Sequence, residues 1–221
     1  DLAIDLRGDL RHIILFLLFP QIKYRLSYDR SGGECLLSQS IIYDKKLHEM
    51  QKNLKLLDSI GIKSNSIRPE IYITDNKRND INEIFKINGI KENDIKIVLS
   101  AGARVKVKRW PLDNFIKLGA LLERKYGAWI MFTGTSKEIN KKDIPSSQKF
   151  INLIDELDLL QLTALFEKIH LLISNDSGVT HVASSRNVPM LVLFGPTDPD
   201  TYKPIADNVS IITKKILCSP C

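Results

Sequence analysis

Between Ile95 and Gly195 short apolar runs alternate with amphipathic stretches, and that alternation restricts the chain to very few folds. Ile95 to Leu99, Trp129 to Thr133, Phe150 to Leu153, His170 to Ser174 and Met190 to Phe194 have the length and apolar content of buried strands. Leu112 to Tyr126, Leu159 to Ile169 and Val179 to Arg186 read as helices between them. Strands and helices in this alternation predict an α/β fold, a parallel sheet with helices on both faces. In such a sheet a ligand lies outside the carboxyl ends of the strands, so the residues that follow each strand are the ones to inspect.

The most informative exit follows Ser174, in HLLISNDSGVTHVASSRNVPMLVLFG from His170. A helix starting here leaves unpaired N–H groups and a partial positive charge at the sheet edge, a place suited to an anion. Ser177 or Asp176 can cap that helix, Gly178 lets a phosphate approach the backbone, and His181 can donate to it. After Leu99 comes Ser100 to Pro111, a loop of small residues and the cations Arg104, Lys106, Lys108 and Arg109, ending in Trp110-Pro111. Lys108 or Arg104 can neutralise a phosphate. After Phe132 comes TGTSKE, in which Glu138 can accept hydrogen bonds from a ribose, and after Phe194 comes the rigid turn Gly195-Pro196-Thr197-Asp198. Taken as a set, these turns point to a nucleotide diphosphate. A hydrolase built on Ser177, His181 and Asp176 is disfavoured, because the three share one turn and leave no separately placed base and orienter.

Upstream, Leu2 to Leu6 and Tyr24 to Tyr28 read as strands, and an apolar helix ends near Pro20. Lys45 to Ile60 is an amphipathic helix, with His48 beside its buried face. The polar stretch from Lys63 to Asp94, with one short strand at Ile71 to Thr74 and a charged segment from Asp75 to Asn82, marks a boundary between domains 1–85 and 86–221. A net charge of +6 admits anionic partners without singling out nucleic acid. Lys23, Arg25 and Arg30 offer a basic surface for an anionic acceptor or membrane face. The longest apolar run, Ile13 to Phe19, is too short to span a bilayer, so the expected location is the cytoplasm, with peripheral contact at the inner membrane. Cys218 and Cys221, in CSPC, supply half a zinc site at most.

AGARVKVKRWPLDNF from Ala101, TGTSKE from Thr133 and SNDSGVTHVASSRNVPMLVLFGPTDP from Ser174 together resemble the ADP-heptose:lipopolysaccharide heptosyltransferase family. IDLRGDLR from Ile4 is similar to a strand and helix late in that family's amino-terminal domain, and CSPC to the segment after its GPTDP stretch. The resemblance implies a GT-B fold, two Rossmann-like doubly wound domains of which the first is incomplete here. Residues 1–85 would belong to the acceptor-side domain and 86–221 would bind the donor. It implies an inverting, metal-independent transfer, with no cofactor, of a sugar from a nucleotide-diphosphate donor, ADP-heptose, to a lipopolysaccharide core or other phosphorylated glycan. Lys108 would stabilise the departing phosphate. Gly102, Ala103, Lys108, Glu138, Asp176, Ser177, Gly178 and His181 would contact the donor, with no metal ligand. The family's general base belongs to a turn upstream of Asp1, so no residue here inherits it. Asp5 and Asp9 remain acceptor-side candidates, with helix capping the competing use of Asp9. The alternative reading is a non-catalytic nucleotide-sugar-binding module, or an inactive fragment, lacking the base.

Overall fold

The structure, a computed structural model, describes residues 1–64 and 66–214. CSPC therefore lies outside the described residues. The chain forms two compact units, one of Asp1–Ile67 with Asp200–Tyr202, the other of Arg68–Pro199 with Lys203–Cys221.

The first unit has a parallel sheet of β1 (Leu2–Ile4), β2 (Tyr24–Tyr28) and β3 (Gln39–Ile41), with β2 in the middle. Helix α1 (Leu10–Leu17) follows β1 and α2 (Glu49–Asp58) follows β3. Leu26, Tyr28 and Leu56 form the core, joined by Ile4, Ile41, Tyr43 and Ile60. The short polar strand β3 is not apparent in the sequence, because Gln-Ser-Ile has no apolar alternation. Helix α2 starts later than the apolar periodicity suggests. His48 precedes it as the N-cap, its ring accepting from Met50 N while Gln51 bonds back to the His48 N–H, so this histidine closes a capping box.

Asp5 and Asp9 are both engaged at the start of α1. Asp9 caps the helix, accepting from Arg11 N at 3.0 Å, and pairs with the Arg11 guanidinium, which holds its carboxyl far below the usual carboxylate range. Asp5, 6% exposed, accepts from Asp9 N at 3.0 Å and Ser27 Oγ at 2.9 Å, and His12 Nδ1 stands 3.0 Å from its other oxygen. Burial pushes the Asp5 carboxyl up, but these hydrogen bonds together hold it below its ordinary value of 3.8. A carboxyl lowered on folding contributes stability that is present above that value and lost as pH falls through and below it. Asp5→Asn should therefore flatten the acid limb of the unfolding curve, measured by denaturant titration at stepped pH. An acid limb identical to the native chain's would show that Asp5 is not a stabilising anion.

The second unit is a six-stranded, wholly parallel sheet. Helix α3 (Asp75–Ile87) leads into β4 (Lys96–Ser100), followed by α4 (Leu112–Tyr126), β5 (Trp129–Gly134), β6 (Phe150–Ile154), α5 (Leu159–Phe166), β7 (Leu171–Asn175), α6 (Gly178–Ser184), β8 (Met190–Phe194) and β9 (Val209–Thr213). The spatial order is β6-β5-β4-β7-β8-β9, the doubly wound arrangement in which the chain builds outward from β4 on one side and then on the other. One face packs on α3, α5 and α6 through residues such as Ile81, Phe85, Val98, Met131, Phe166 and Ala183. The other packs on α4 through Phe115, Ile97, Leu99, Ile130 and Phe132. At the amino end of β4, Lys96 is 4% exposed, and its ammonium donates to the carbonyls of Lys91, Glu92 and Asp94 at 3.2, 2.7 and 2.8 Å. Burial lowers its pKa below the ordinary value.

Two expectations are corrected here. Ile71 to Thr74 is not a strand, and the charged segment from Asp75 is the thirteen-residue helix α3 rather than part of a linker. Ile81, Ile84 and Phe85 fall at helical spacing among its charges and turn one narrow apolar stripe to the sheet. The compact units accordingly divide between Ile67 and Arg68, at the start of the polar stretch. Because Ile81 is fully buried, Ile81→Ala should cost the second unit about 3 kcal/mol in urea unfolding. A loss below about 0.5 kcal/mol, typical of a surface site, would mean that α3 is not part of the core.

Candidate functional site

The chain runs from β4 to β5 and β6 on one side of the sheet, then crosses to β7 on the other, so the exit loops of β4 and β7 diverge. Such a reversal is the switch point at which open parallel sheets leave a crevice for a ligand. Asn175, the last residue of β7 and fully buried, joins its two sides. Its Nδ2 donates to Ala101 O at 2.7 Å and its Oδ1 accepts from Trp110 N at 2.9 Å. One amide thereby fixes both ends of the β4 loop, just before α4. Trp110 packs edge-on against Phe115, with ring centroids 5.0 Å apart, which anchors the loop to the core under α4.

Lys108 ends a short turn of 3-10 helix, Lys106–Lys108, within that loop. Its Nζ lies 2.6 Å from Asp176 Oδ2, directly beyond β7. Asp176 is 5% exposed and Lys108 partly buried, so the pair is shielded more than a surface ion pair. Asp176 is not available as a helix cap. Ser177 takes the N-cap position of α6, yet its hydroxyl makes no capping bond and is buried without a hydrogen-bond partner. Gly178 opens the helix, exposed, with nothing within 4 Å of where a Cβ would stand. His181 is the fourth residue of α6 and partly buried.

Glu138 comes to the same edge from β5. Gly102 lies beneath it, and a Cβ there would displace the Glu138 carboxylate. Arg109 links the two loops from below, donating Nε to Ala103 O at 2.6 Å and Nη1 to Glu138 O at 2.8 Å. Arg109 thus serves as a clasp on two backbone carbonyls, a role not visible in a run of cations. The β5 turn is braced from the far side by Asp155, whose carboxylate receives Ser136 N at 3.0 and 3.1 Å. Asp155 has a left-handed φ of 61°, and the bonds from Ser136 hold its carboxyl below the usual range.

The structure therefore gathers Gly102, Ala103, Lys108, Glu138, Asp176, Ser177 and Gly178 along the carboxyl edge of β4, β5 and β7. Arg104 and Lys106 are exposed on the β4 loop. Sequence reasoning missed Asn175, Arg109 and Asp155 as site-forming residues. The only signal for Asn175 was a polar residue closing an apolar strand.

Comparison with known proteins decides the family. Residues 1–221 match the model described as glycosyltransferase family 9 (heptosyltransferase). The chain belongs to that family. Lipooligosaccharide heptosyltransferase 2 of Haemophilus ducreyi is 34% identical over 113 residues, covering 48% of this chain and 32% of that protein. Lipopolysaccharide heptosyltransferase 2 of Escherichia coli is 28% identical over 111 residues, with the same coverage. The aligned part is about a third of the length of these relatives. Among solved structures, a family 9 glycosyl transferase from Veillonella parvula superposes with a TM-score of 0.82 at 23% identity, over 97% of this chain and 62% of that one. The E. coli ADP-heptose lipopolysaccharide heptosyltransferase II does so at 0.72 and 20%, over 95% and 66%. At these identities the likeness concerns the fold, which is α/β of the GT-B type.

Removing the Asn175 amide leaves Ala101 O and Trp110 N without their partner in the interior. Asn175→Ala should destabilise the second unit by about 2 kcal/mol in denaturant unfolding and raise hydrogen exchange at Trp110. Unchanged exchange there would show that the loop is held by other means.

Proposed function

We propose that the chain carries the donor side of an inverting, metal-independent heptosyltransferase that moves heptose from ADP-heptose to a lipopolysaccharide core acceptor. The second unit binds the donor and the first belongs to the acceptor side. The observation that carries this reading is the Lys108–Asp176 pair at the switch point, 2.6 Å apart beside the open start of α6. Direct displacement at the anomeric carbon forms a bond to the acceptor oxygen, whose proton passes to a general base, and breaks the bond to the diphosphate oxygen, releasing ADP, whose departing phosphate gains negative charge. The Lys108 ammonium, held in a partly desolvated position, stabilises that charge most in the transition state. Asp176 would repel a phosphate, so its part is to orient Lys108 and to accept hydrogen bonds from sugar hydroxyls. Ser177 Oγ, the α6 N–H groups and His181 contact the diphosphate, Gly102 and Ala103 line its approach, and Glu138 receives the ribose. Support for adenine and heptose comes from relatives, one of which is named an ADP-heptose heptosyltransferase. A lipopolysaccharide acceptor would place the work at the cytoplasmic face of the inner membrane, where Lys23 and Arg25 can meet anionic groups.

A second reading, a non-catalytic nucleotide-sugar-binding module, draws on the engagement of Asp5 and Asp9 in capping and burial, which leaves neither as a base. Calorimetric titration with ADP, UDP and GDP, on the native chain and on Lys108→Ala, tests the proposal. Selective ADP binding, weakened less than about tenfold by Lys108→Ala, while heptose transfer assayed in an enzyme that carries the same substitution together with a general base falls about a hundredfold or more, is the expected result. ADP binding with transfer in that enzyme unchanged by Lys108→Ala selects the module. A folded chain that binds none of the three nucleotides refutes the donor site.

A further inference from the structure

Three hydroxyls of the second unit are buried with no hydrogen-bond partner among the described residues, those of Thr133, Ser177 and Thr197. All three stand at, or just beyond, the carboxyl ends of strands: Thr133 on β5, Ser177 after β7 and Thr197 after β8. Burying a hydroxyl without a partner destabilises a fold, and here three such hydroxyls share one edge of a sheet, where a ligand can supply the partner. Ser177 already belongs to the donor site proposed above, whereas Thr133 has no assigned role.

Thr133 is 3% exposed, the most deeply buried of the set. It is in register with Ser100 on β4 and Leu153 on β6, and Ser100 is in register with Ser174 on β7. Residues in register share a face, so Ser174, Ser100 and Thr133 form a polar row across three strands. The row continues the face carrying Leu172, Val98 and Met131, which α3, α5 and α6 cover. Ser174 has its own acceptor, the Asn175 carbonyl at 2.8 Å, and Thr133 has none.

We infer that the Thr133 hydroxyl is a binding group for the nucleoside part of the donor. The inference rests on the donor-site reading and extends it. In that reading Lys108, held by Asp176 between β4 and β7, meets the charged end of the ligand. Strand β5 lies on the opposite side of β4, so a nucleoside diphosphate held at Lys108 and extending across the β4 loop brings its uncharged end to β5. Glu138 and Thr133 are among the polar side chains at the end of β5, and are the two that are not exposed, one a carboxylate and the other a neutral hydroxyl able both to donate and to accept. A neutral hydroxyl in a buried row suits a ribose hydroxyl or a base nitrogen.

The test pairs Thr133→Val, which keeps the shape and removes the hydroxyl, with Thr133→Ser, which keeps the hydroxyl. ADP titration and thermal unfolding are measured on both variants and on the native chain. Thr133→Val should bind ADP about three- to tenfold more weakly, with a melting temperature equal to or above that of the native chain. Thr133→Ser should bind within about twofold of native, as retention of the hydrogen bond requires. Undiminished ADP binding by Thr133→Val would overturn the inference while leaving the donor site intact. A lowered melting temperature in Thr133→Val would also overturn it, because the hydroxyl would then have a partner within the fold. Absence of ADP binding by the native chain would instead defeat the donor-site reading on which the inference depends.

Discussion

The arrangement of the carboxyl edge depends on a buried amide. Exit loops in a parallel sheet are irregular, and their backbone groups cannot pair with a neighbouring strand, yet those nearest the core are withdrawn from water. Asn175 resolves this for the β4 loop by accepting at one end and donating at the other. Arg109 and Asp155 do the same for the turns that follow β4 and β5. Each uses a side chain to satisfy backbone, so the loops are fixed with little regular structure of their own. The side chains that face the crevice are thereby positioned by residues that do not enter it.

Electrostatics on this edge follow from that division. Arg109, the cation nearest Lys108 in sequence, is committed to two carbonyls, and Lys108 is aimed at Asp176 by the turn it terminates. A partly buried ion pair between an ammonium and a carboxylate lies close to balance between desolvation and attraction. Such a pair responds strongly to any further charge placed beside it, and an incoming phosphate is a charge of that kind.

Much of this was legible in the sequence, and the exceptions have physical reasons. The buried strands of the second unit declare themselves because both faces of a doubly wound sheet are covered, which makes the runs continuously apolar. Helix α4 could be read to the residue, with Pro111 before it and Gly127 in the left-handed conformation after it. Strand β3 was missed because its sequence, QSI, carries little signal and is held chiefly by a neighbour, whereas β9, VSIIT, was missed although four of its five residues are β-branched. Helix α3 was hidden by its charges, since three apolar residues suffice to dock it. Among site residues, Lys108 and Asp176 were legible as chemistry, but their pairing was not, because 68 positions separate them. Asn175, Arg109 and Asp155 bond to backbone, and a residue bonded to backbone leaves no partner residue in the sequence to betray it.

The opposite edge of the same sheet carries a different consequence. Lys96 is enclosed by three carbonyls at the base of β4, out of reach of reagents in solution. Under mild acylation the surface lysines would be labelled first, and Lys96 would take up label only when the central strand opens. The chain therefore contains its own chemical reporter, at a position remote from the crevice, that distinguishes loss of the fold from loss of the site.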